Sequence, residues 1–234
     1  MKDLFGKAIL DYQTNNNPEN LITETSISEE DEMSVAYLFR NFNEMPIIEQ
    51  KAIELTKGRV LDIGCGAGSH SLIIQNDKNL DVMSIDISEG AIHTCKLRGL
   101  NNTKVQDIIT LENEKFDTIL ALMNGTGIFG TLKETPKYLQ KLKELLNPNG
   151  QILIDSSDLI YMFDEDEDGG KWIPDTSYYG ELTFNIKYKN ENEEPFPWLY
   201  LDYNTLQNVA FANDLKCELI QEGEHYDYLA RLFI

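Results

Sequence analysis

Three acids, Asp62, Asp86 and Asp107, each close a short strand-like run, and Gly64, Gly66 and Gly68 follow the first at alternate positions in VLDIGCGAGSH (60–70). A residue without Cβ lets backbone come close to a bulky ligand, so these glycines mark a sharp turn beside one. The carboxylates add acceptors. Asp86 stands about 20 residues beyond the loop, from where an acid receives ribose hydroxyl protons in nucleotide sites. Asp107 can accept from an adenine amino group, and Asp62 can fix the loop backbone or face a positive charge. A nucleoside with a cationic amino-acid end meets these demands, and S-adenosylmethionine is such a molecule. His70, just past the loop, either touches that ligand or caps the helix start. Ile87 and Ile108, next after Asp86 and Asp107, and Asn124 further along the chain complete the candidates for the cofactor site.

These acids need strands that end together. Val60–Ile63, Asp81–Ile85, Thr103–Gln106, Phe116–Met123 and Gln151–Asp155 read as strands, with helices over Ser69–Gln75, Ser88–Arg98 and Lys133–Leu146 between them. Asn147-Pro148-Asn149-Gly150 reads as a stop and turn. This alternation predicts an α/β fold, a Rossmann-like, doubly wound, mostly parallel sheet whose ligands sit beyond the carboxyl ends of its strands. A helix over Thr205–Ala212 and strands Cys217–Gln221 and Tyr226–Phe233 bring the sheet to seven. The tight loop Glu222-Gly223-Glu224-His225 makes the last strand antiparallel. Leu182, Phe184, Ile186 and Tyr188 alternate with polar residues and Trp198–Leu201 pairs back on them, a β-hairpin inserted after strand five. Ahead of the sheet, residues 1–14 form an amphipathic helix. Ser26-Ile27-Ser28-Glu29 signals a capping box and so a second helix from near residue 28 towards Pro46. A third helix carries Ile48, Ala52 and Leu55. The expected domains are an N-terminal helical cap (1–57), a core (58–155 and 204–234), and an inserted acidic loop with its hairpin (156–203).

DIGCGAG (62–68), SIDIS (84–88), VQD (105–107) and FDTILALMNG (116–125), in this order, resemble the class I S-adenosylmethionine-dependent methyltransferases. The likeness runs from about residue 58 to Ile234 apart from the insert. It implies that the glycine loop passes the methionine moiety and that Asp86 holds the ribose. It also implies an enzyme that moves a methyl group to an O or N atom by in-line displacement. A dinucleotide oxidoreductase is the competing reading of the loop, but its third glycine would fall at Ser69, and Asp62 would sit near a pyrophosphate. An aminopropyltransferase acting on polyamines shares the fold, yet its longer acidic signature after the glycine loop is missing. A cofactor-binding scaffold without turnover is the non-enzymatic alternative.

Methyl transfer gains rate from positioning, and needs a base only where the acceptor must lose a proton. Asn124-Gly125 follow strand four without the Asn/Asp-Pro-Pro-aromatic motif of family members that methylate exocyclic nitrogens of nucleic-acid bases, so a small-molecule acceptor is expected. His225, Asn124 and Asp155 are the catalytic candidates, with His225 as a base or else a surface histidine. Tyr12, Arg40, Ser156, Trp172 and Tyr226 are the substrate candidates, and Asp158 stands near them. Arg40 binds a substrate carboxylate or pairs with a surface acid. Trp172, with Tyr178 and Tyr179, walls a cation or packs under the hairpin. His93 reads as helix surface.

The 234 residues carry 40 acids against 20 bases, a net charge of −20 that repels phosphate backbones and disfavours duplex nucleic acid. No apolar run nears the roughly 18–20 residues that span a bilayer, and MKDLFGKAILDYQ lacks the apolar block of a signal peptide. Three cysteines without a CxxC argue against disulfides and zinc and for a reducing cytoplasm. A monomer or homodimer is expected. Asp164, Asp166, Asp168, Gly169 and Asp175 match part of a calcium loop, but Lys171 and Pro174 break its pattern, so no metal is expected.

Overall fold

In the computed structural model, which describes residues 2–166, 168, 170–173 and 177–234, the chain builds two sheets. Helix α1 (Leu4–Thr14) begins where the Asp3 carboxylate accepts the Gly6 N–H, and it buries Leu4, Ala8 and Ile9. Two strands follow, β1 (Leu21–Thr25) and β2 (Ser28–Met33), in place of the helix expected from near residue 28. The Ser26 hydroxyl of the capping-box pattern accepts the Thr183 N–H of the insert instead, and its neighbours close a two-residue turn: Ser28 Oγ accepts the Thr25 N–H, and Thr25 Oγ1 accepts the Ile27 N–H. A helix would also crowd Glu29, Glu30, Asp31 and Glu32 into about one turn with no apolar stripe to bury. On β2 all four face solvent. After short 3-10 turns over Val35–Phe39 and Phe42–Glu44 comes α2 (Ile47–Leu55). The region expected as a helical cap is therefore part sheet.

The core runs β3 (Val60–Ile63), α3 (Ser69–Asn76), β4 (Val82–Asp86), α4 (Glu89–Leu97), β5 (Thr103–Val105), β6 (Phe116–Ala121), α5 (Thr135–Glu144) and β7 (Leu146–Ser157). β7 starts earlier than expected, because the stop-and-turn Asn147–Gly150 forms an irregularity inside the strand, with Asn149 left-handed, before Gln151 pairs with Thr118. The insert adds β8 (Glu181–Tyr188), β9 (Glu191–Asn192) and β10 (Phe196–Leu199). The core then resumes with α6 (Tyr203–Ala212), β11 (Lys216–Glu222) and β12 (Asp227–Phe233). The large sheet has the order β11-β12-β7-β6-β3-β4-β5, with β12 antiparallel to both neighbours. Period-2 alternation buries both faces: Leu61, Ile119 and Ile152 pack with Leu139 and Leu206 of α5 and α6, and Val60, Leu120 and Leu153 pack with Ile48 and Ile74 of α2 and α3. Strand order reverses between β3 and β6, so the crevice for ligands opens at their carboxyl ends.

The small sheet has the order β10-β8-β1-β2, with β9 on β8. The expected hairpin is present with its second strand two residues earlier, Phe196–Leu199 rather than Trp198–Leu201. Phe196 lies opposite Phe184 and Leu199 opposite Glu181, and β1 of the N-terminal region joins it through Ile22 opposite Lys187. Leu21, Ile186 and Tyr188 close a second core with Leu4, Ile9, Ala67 and Ala91. Helix α1 seals onto the start of α4 there. A Cβ on Gly90 would meet the Gly6 carbonyl oxygen at 2.4 Å, and Asp3 also accepts the Gly90 N–H. No described helix is long and apolar enough to cross a membrane.

Candidate active site

The glycines after β3 have separate tasks. All three have positive φ, yet a Cβ on Gly64 or Gly66 would meet nothing within 4 Å, whereas one on Gly68 would meet Leu100 at 2.6 Å and Cys95 Sγ at 2.9 Å. The first two border an open cradle, and the third lets the start of α3 lie against α4. Asp86 ties the cradle to β4: its Oδ2 accepts the Gly66 N–H and its Oδ1 the Ser88 N–H, both at 2.9 Å. Arg98 donates to the Ala67 carbonyl at 2.6 Å, and the Ser69 hydroxyl donates to the Leu38 carbonyl. Asp107 is exposed and accepts the Ile109 N–H. Ile87 is 60% exposed beside Asp86, a free apolar face, whereas Ile108 lies in the main core. Asp62 is buried and receives the Ser71 hydroxyl at 2.6 Å.

Across the crevice, Met123 and Asn124 are successive left-handed residues, at φ 64° and 61°, a conformation that costs a residue with a Cβ roughly 1–2 kcal/mol. Asp155 at the end of β7 holds them. Its Oδ2 accepts the Met123 N–H at 3.0 Å and its Oδ1 the Gly125 N–H at 2.8 Å. Asn124 Oδ1 accepts the Ser156 hydroxyl, and Asn124 Nδ2 donates to the Leu199 carbonyl of β10. Ser156 also accepts the Leu201 N–H, so this buried hydroxyl is engaged within the protein. Burial pushes the Asp155 carboxyl up to about 7 against the two N–H bonds that lower it. Burial likewise raises Asp62 and Asp86. All three lack a direct ion pair among the described residues. Two buried acids and one half-buried one, without cations, around an open cradle fit the cationic end of S-adenosylmethionine.

A second buried group joins the N-terminal region to the cradle. Arg40 donates to both Glu49 oxygens, at 2.6 and 2.7 Å, and lies 3.4 Å above the Tyr37 ring. His70 Nε2 stands 2.6 Å from Glu49 Oε2. Burial alone would lower the imidazole, but the Glu49 contact outweighs it and raises His70; Glu49 is held low by His70 and Arg40 in spite of its own burial. The partner of Arg40 is therefore an internal acid, and His70 reaches Glu49 instead of only capping α3.

Between the small sheet and the ends of β7 and β12 lies a cleft of about 390 Å³, lined by Ser157, Leu159, Tyr161, Leu182, Tyr200 and Asp227, with His225 at its margin. It adjoins the Asn124 turn through Leu199, whose carbonyl accepts from Asn124 and Thr126 and whose neighbour is Tyr200. Tyr226 is 62% exposed, left-handed at φ 60°, and stacks on Tyr161 at 4.6 Å. Tyr12 packs against Phe39 with the rings tilted by 40°. Trp172 is 73% exposed and outside the cleft lining. Tyr178 donates to Asp202 and Tyr179 to Asp158. In the acidic stretch, Asp166 accepts the Asp168 and Gly170 N–H groups. Gly169, Pro174 and Asp175 lie outside the described residues, and among the described residues no three His, Cys, Asp or Glu converge as a metal site.

Glu49, Tyr37, Met123, Tyr161, Tyr200 and Asp227 are site residues that the sequence reading passes over. Glu49 is nine residues from Arg40 and 21 from His70, with no spacing rule linking them. Asp227 and Tyr161 are brought together only by the pairing of β12 with β7.

Comparison with known proteins agrees with this geometry. A methyltransferase domain family matches residues 55–207, more than half of the chain. An S-adenosylmethionine-dependent methyltransferase from Bacteroides fragilis, crystallised with S-adenosyl-L-homocysteine, is 43% identical and superposes with a TM-score of 0.92 over 100% of this chain and 95% of that one. The CcbJ methyltransferase from Streptomyces caelestis has the same fold at 14% identity, with a TM-score of 0.62 over 82% of this chain and 92% of that one. The ribosomal protein L11 methyltransferase of Acetivibrio thermocellus is 32% identical over 89 residues, which span 36% of this chain and only 28% of that protein. With its glycine cradle, three strand-end acids and seven-stranded sheet, the chain belongs to the methyltransferase domain family, as a class I S-adenosylmethionine-dependent methyltransferase.

Proposed function

We propose that the chain methylates an O or N atom of a small molecule seated in the cleft beside the Asn124 turn. The observation that carries this reading is the cleft itself. Its volume of about 390 Å³ suits a small ligand, and Leu199 and Tyr200 join it to the turn opposite the glycine cradle. The cofactor supplies an electrophilic methyl on a sulfonium. The chain's own part is binding and alignment. Asp86 accepts from the ribose hydroxyls while keeping the Gly66 and Ser88 N–H bonds, Asp107 accepts from the adenine amino group, and Ile87 covers the base. Gly64 and Gly66 leave room for the methionyl end, whose positive charge Asp62 and Asp155 complement. Asp155 and Asn124 hold the turn that faces the acceptor, and His225 takes a proton where the acceptor must lose one. Three free, buried cysteines suit a reducing cytoplasm.

The test is release of S-adenosylhomocysteine from S-adenosylmethionine in the presence of a panel of small amines, alcohols and phenols. Turnover with at least one of them, lost on substituting Asn124→Ala with the cofactor still bound, is expected. Turnover confined to protein or nucleic acid would overturn the small-molecule reading.

A further inference from the structure

We propose that the cleft selects an organic cation, so that the acceptor is an amine recognised as its ammonium; this rests on the cleft being the acceptor site. Three observations converge. Aromatic rings stand at the cleft: Tyr161 and Tyr200 line it, and Tyr226 stacks on Tyr161 at 4.6 Å, the stacked pair exposed by 47% and 62%. Tyr226 holds a left-handed backbone at φ 60° while presenting its ring to solvent. One acid lines the same cleft: Asp227, whose carboxylate packs against Gly223, spends Oδ1 on the His225 N–H at 2.9 Å and leaves Oδ2 without a hydrogen-bond partner among the described residues. No lysine or arginine is among the lining residues.

The surrounding field has the same sign. Tyr200 is raised by burial first and then by Tyr161 and Asp155. Tyr37 is raised by burial; Arg40 is the strongest charge upon it and lowers it, while Glu49, Asp227 and Asp155 together add to the rise. Aromatic faces and one carboxylate in a cleft without a cation attract an ammonium and repel a carboxylate or phosphate. The amine enters protonated and gives one proton to the His225 imidazole. Its freed lone pair forms the new C–N bond as the methyl–sulfur bond breaks and that electron pair goes to sulfur. S-adenosylhomocysteine and a protonated methylamine remain, and the imidazole returns its proton to water.

Choline and its uncharged carbon isostere, 3,3-dimethylbutan-1-ol, test the charge directly, titrated by calorimetry into the full chain saturated with S-adenosylhomocysteine. Choline is expected to bind about tenfold tighter than the isostere. Asp227→Asn keeps an oxygen for the His225 N–H and should remove most of that preference. Tyr161→Leu should weaken choline and spare the isostere, while both variants keep wild-type thermal midpoints and S-adenosylhomocysteine affinity. Equal binding of the two probes, or a preference untouched by both substitutions, overturns the proposal. Turnover of neutral alcohols alone in the panel assay would overturn it and leave the small-molecule reading standing. Turnover of macromolecules alone, with neither probe bound, would remove both.

Discussion

The two banks of the crevice are built by different means. The cofactor bank, from Asp62 to Ile109, is one continuous stretch whose contacts are largely backbone: Gly66 and Ser88 on Asp86, Ile109 on Asp107, Gly64 and Gly66 left bare. The proposed acceptor bank is made of residues from five separated stretches, around Ser28, Tyr161, Leu182, Tyr200 and Asp227. A cofactor that does not change can be met by a fixed backbone cradle. An acceptor pocket made of side chains on loops and short strands can be re-tailored without disturbing it.

Breaking the cofactor bank should have the largest effect. Asp86→Ala removes a half-buried acid that holds two N–H groups and is proposed to meet the ribose, and with charged hydrogen bonds worth about 1.5–3 kcal/mol each, S-adenosylhomocysteine affinity measured by calorimetry should fall by about 100-fold. Asp155→Ala strikes the other bank. It orphans the Met123 and Gly125 N–H groups and frees the left-handed pair, so turnover should fall by about 100-fold with cofactor affinity changed far less. A comparable loss of affinity would show that the banks are not separable.

The pH dependence of stability sharpens the same contrast. Folded Asp155 keeps a proton up to about pH 7, whereas an unfolded aspartate does so only up to about pH 4. Between these values the folded state binds more protons, so its stability falls as pH rises. That contribution is full below about pH 4 and gone above about 7, of order 4 kcal/mol at about 1.4 kcal/mol per unit. Raised His70 acts in the same direction at higher pH, losing stability as pH passes above its usual range, and lowered Glu49 acts only at the acid end. Denaturant unfolding at pH 5 and pH 8 should show a smaller difference for Asp155→Asn than for wild type. The smallest effect is expected at the rim of the acceptor bank. Tyr226→Ala should raise acceptor KM by about fivefold, the worth of one exposed aromatic contact, with S-adenosylhomocysteine affinity unchanged.

The large sheet is legible in the sequence because its central strands bury both faces and the first of them end at an acid or a turn residue, and the glycine spacing marks the cradle locally. The small sheet is half legible. The alternation of Leu182, Phe184, Ile186 and Tyr188 reveals β8, but nothing near Leu21 shows that β1 will lie beside it, and the Ser/Thr hydroxyls of 25–28 serve a turn as readily as a helix cap. The Arg40–Glu49–His70 group and the cleft are hidden for the same reason: their members meet only after long-range pairing, and no periodicity encodes a contact between residues of different elements.

The pairing of Ile22 with Lys187 has a consequence for the order in which the molecule assembles. Closing a chain segment of that length costs more entropy than the local pairs β1–β2 and β8–β10 do, so the small sheet is expected to join up after the large sheet has drawn its two halves together. On folding the acceptor pocket is completed last, and in the folded protein it should be the first part to open. Amide exchange at Thr23 and Lys187 is then expected to outpace that at Leu61 and Ile119, letting the pocket breathe around an acceptor while the cofactor cradle stays shut to solvent exchange.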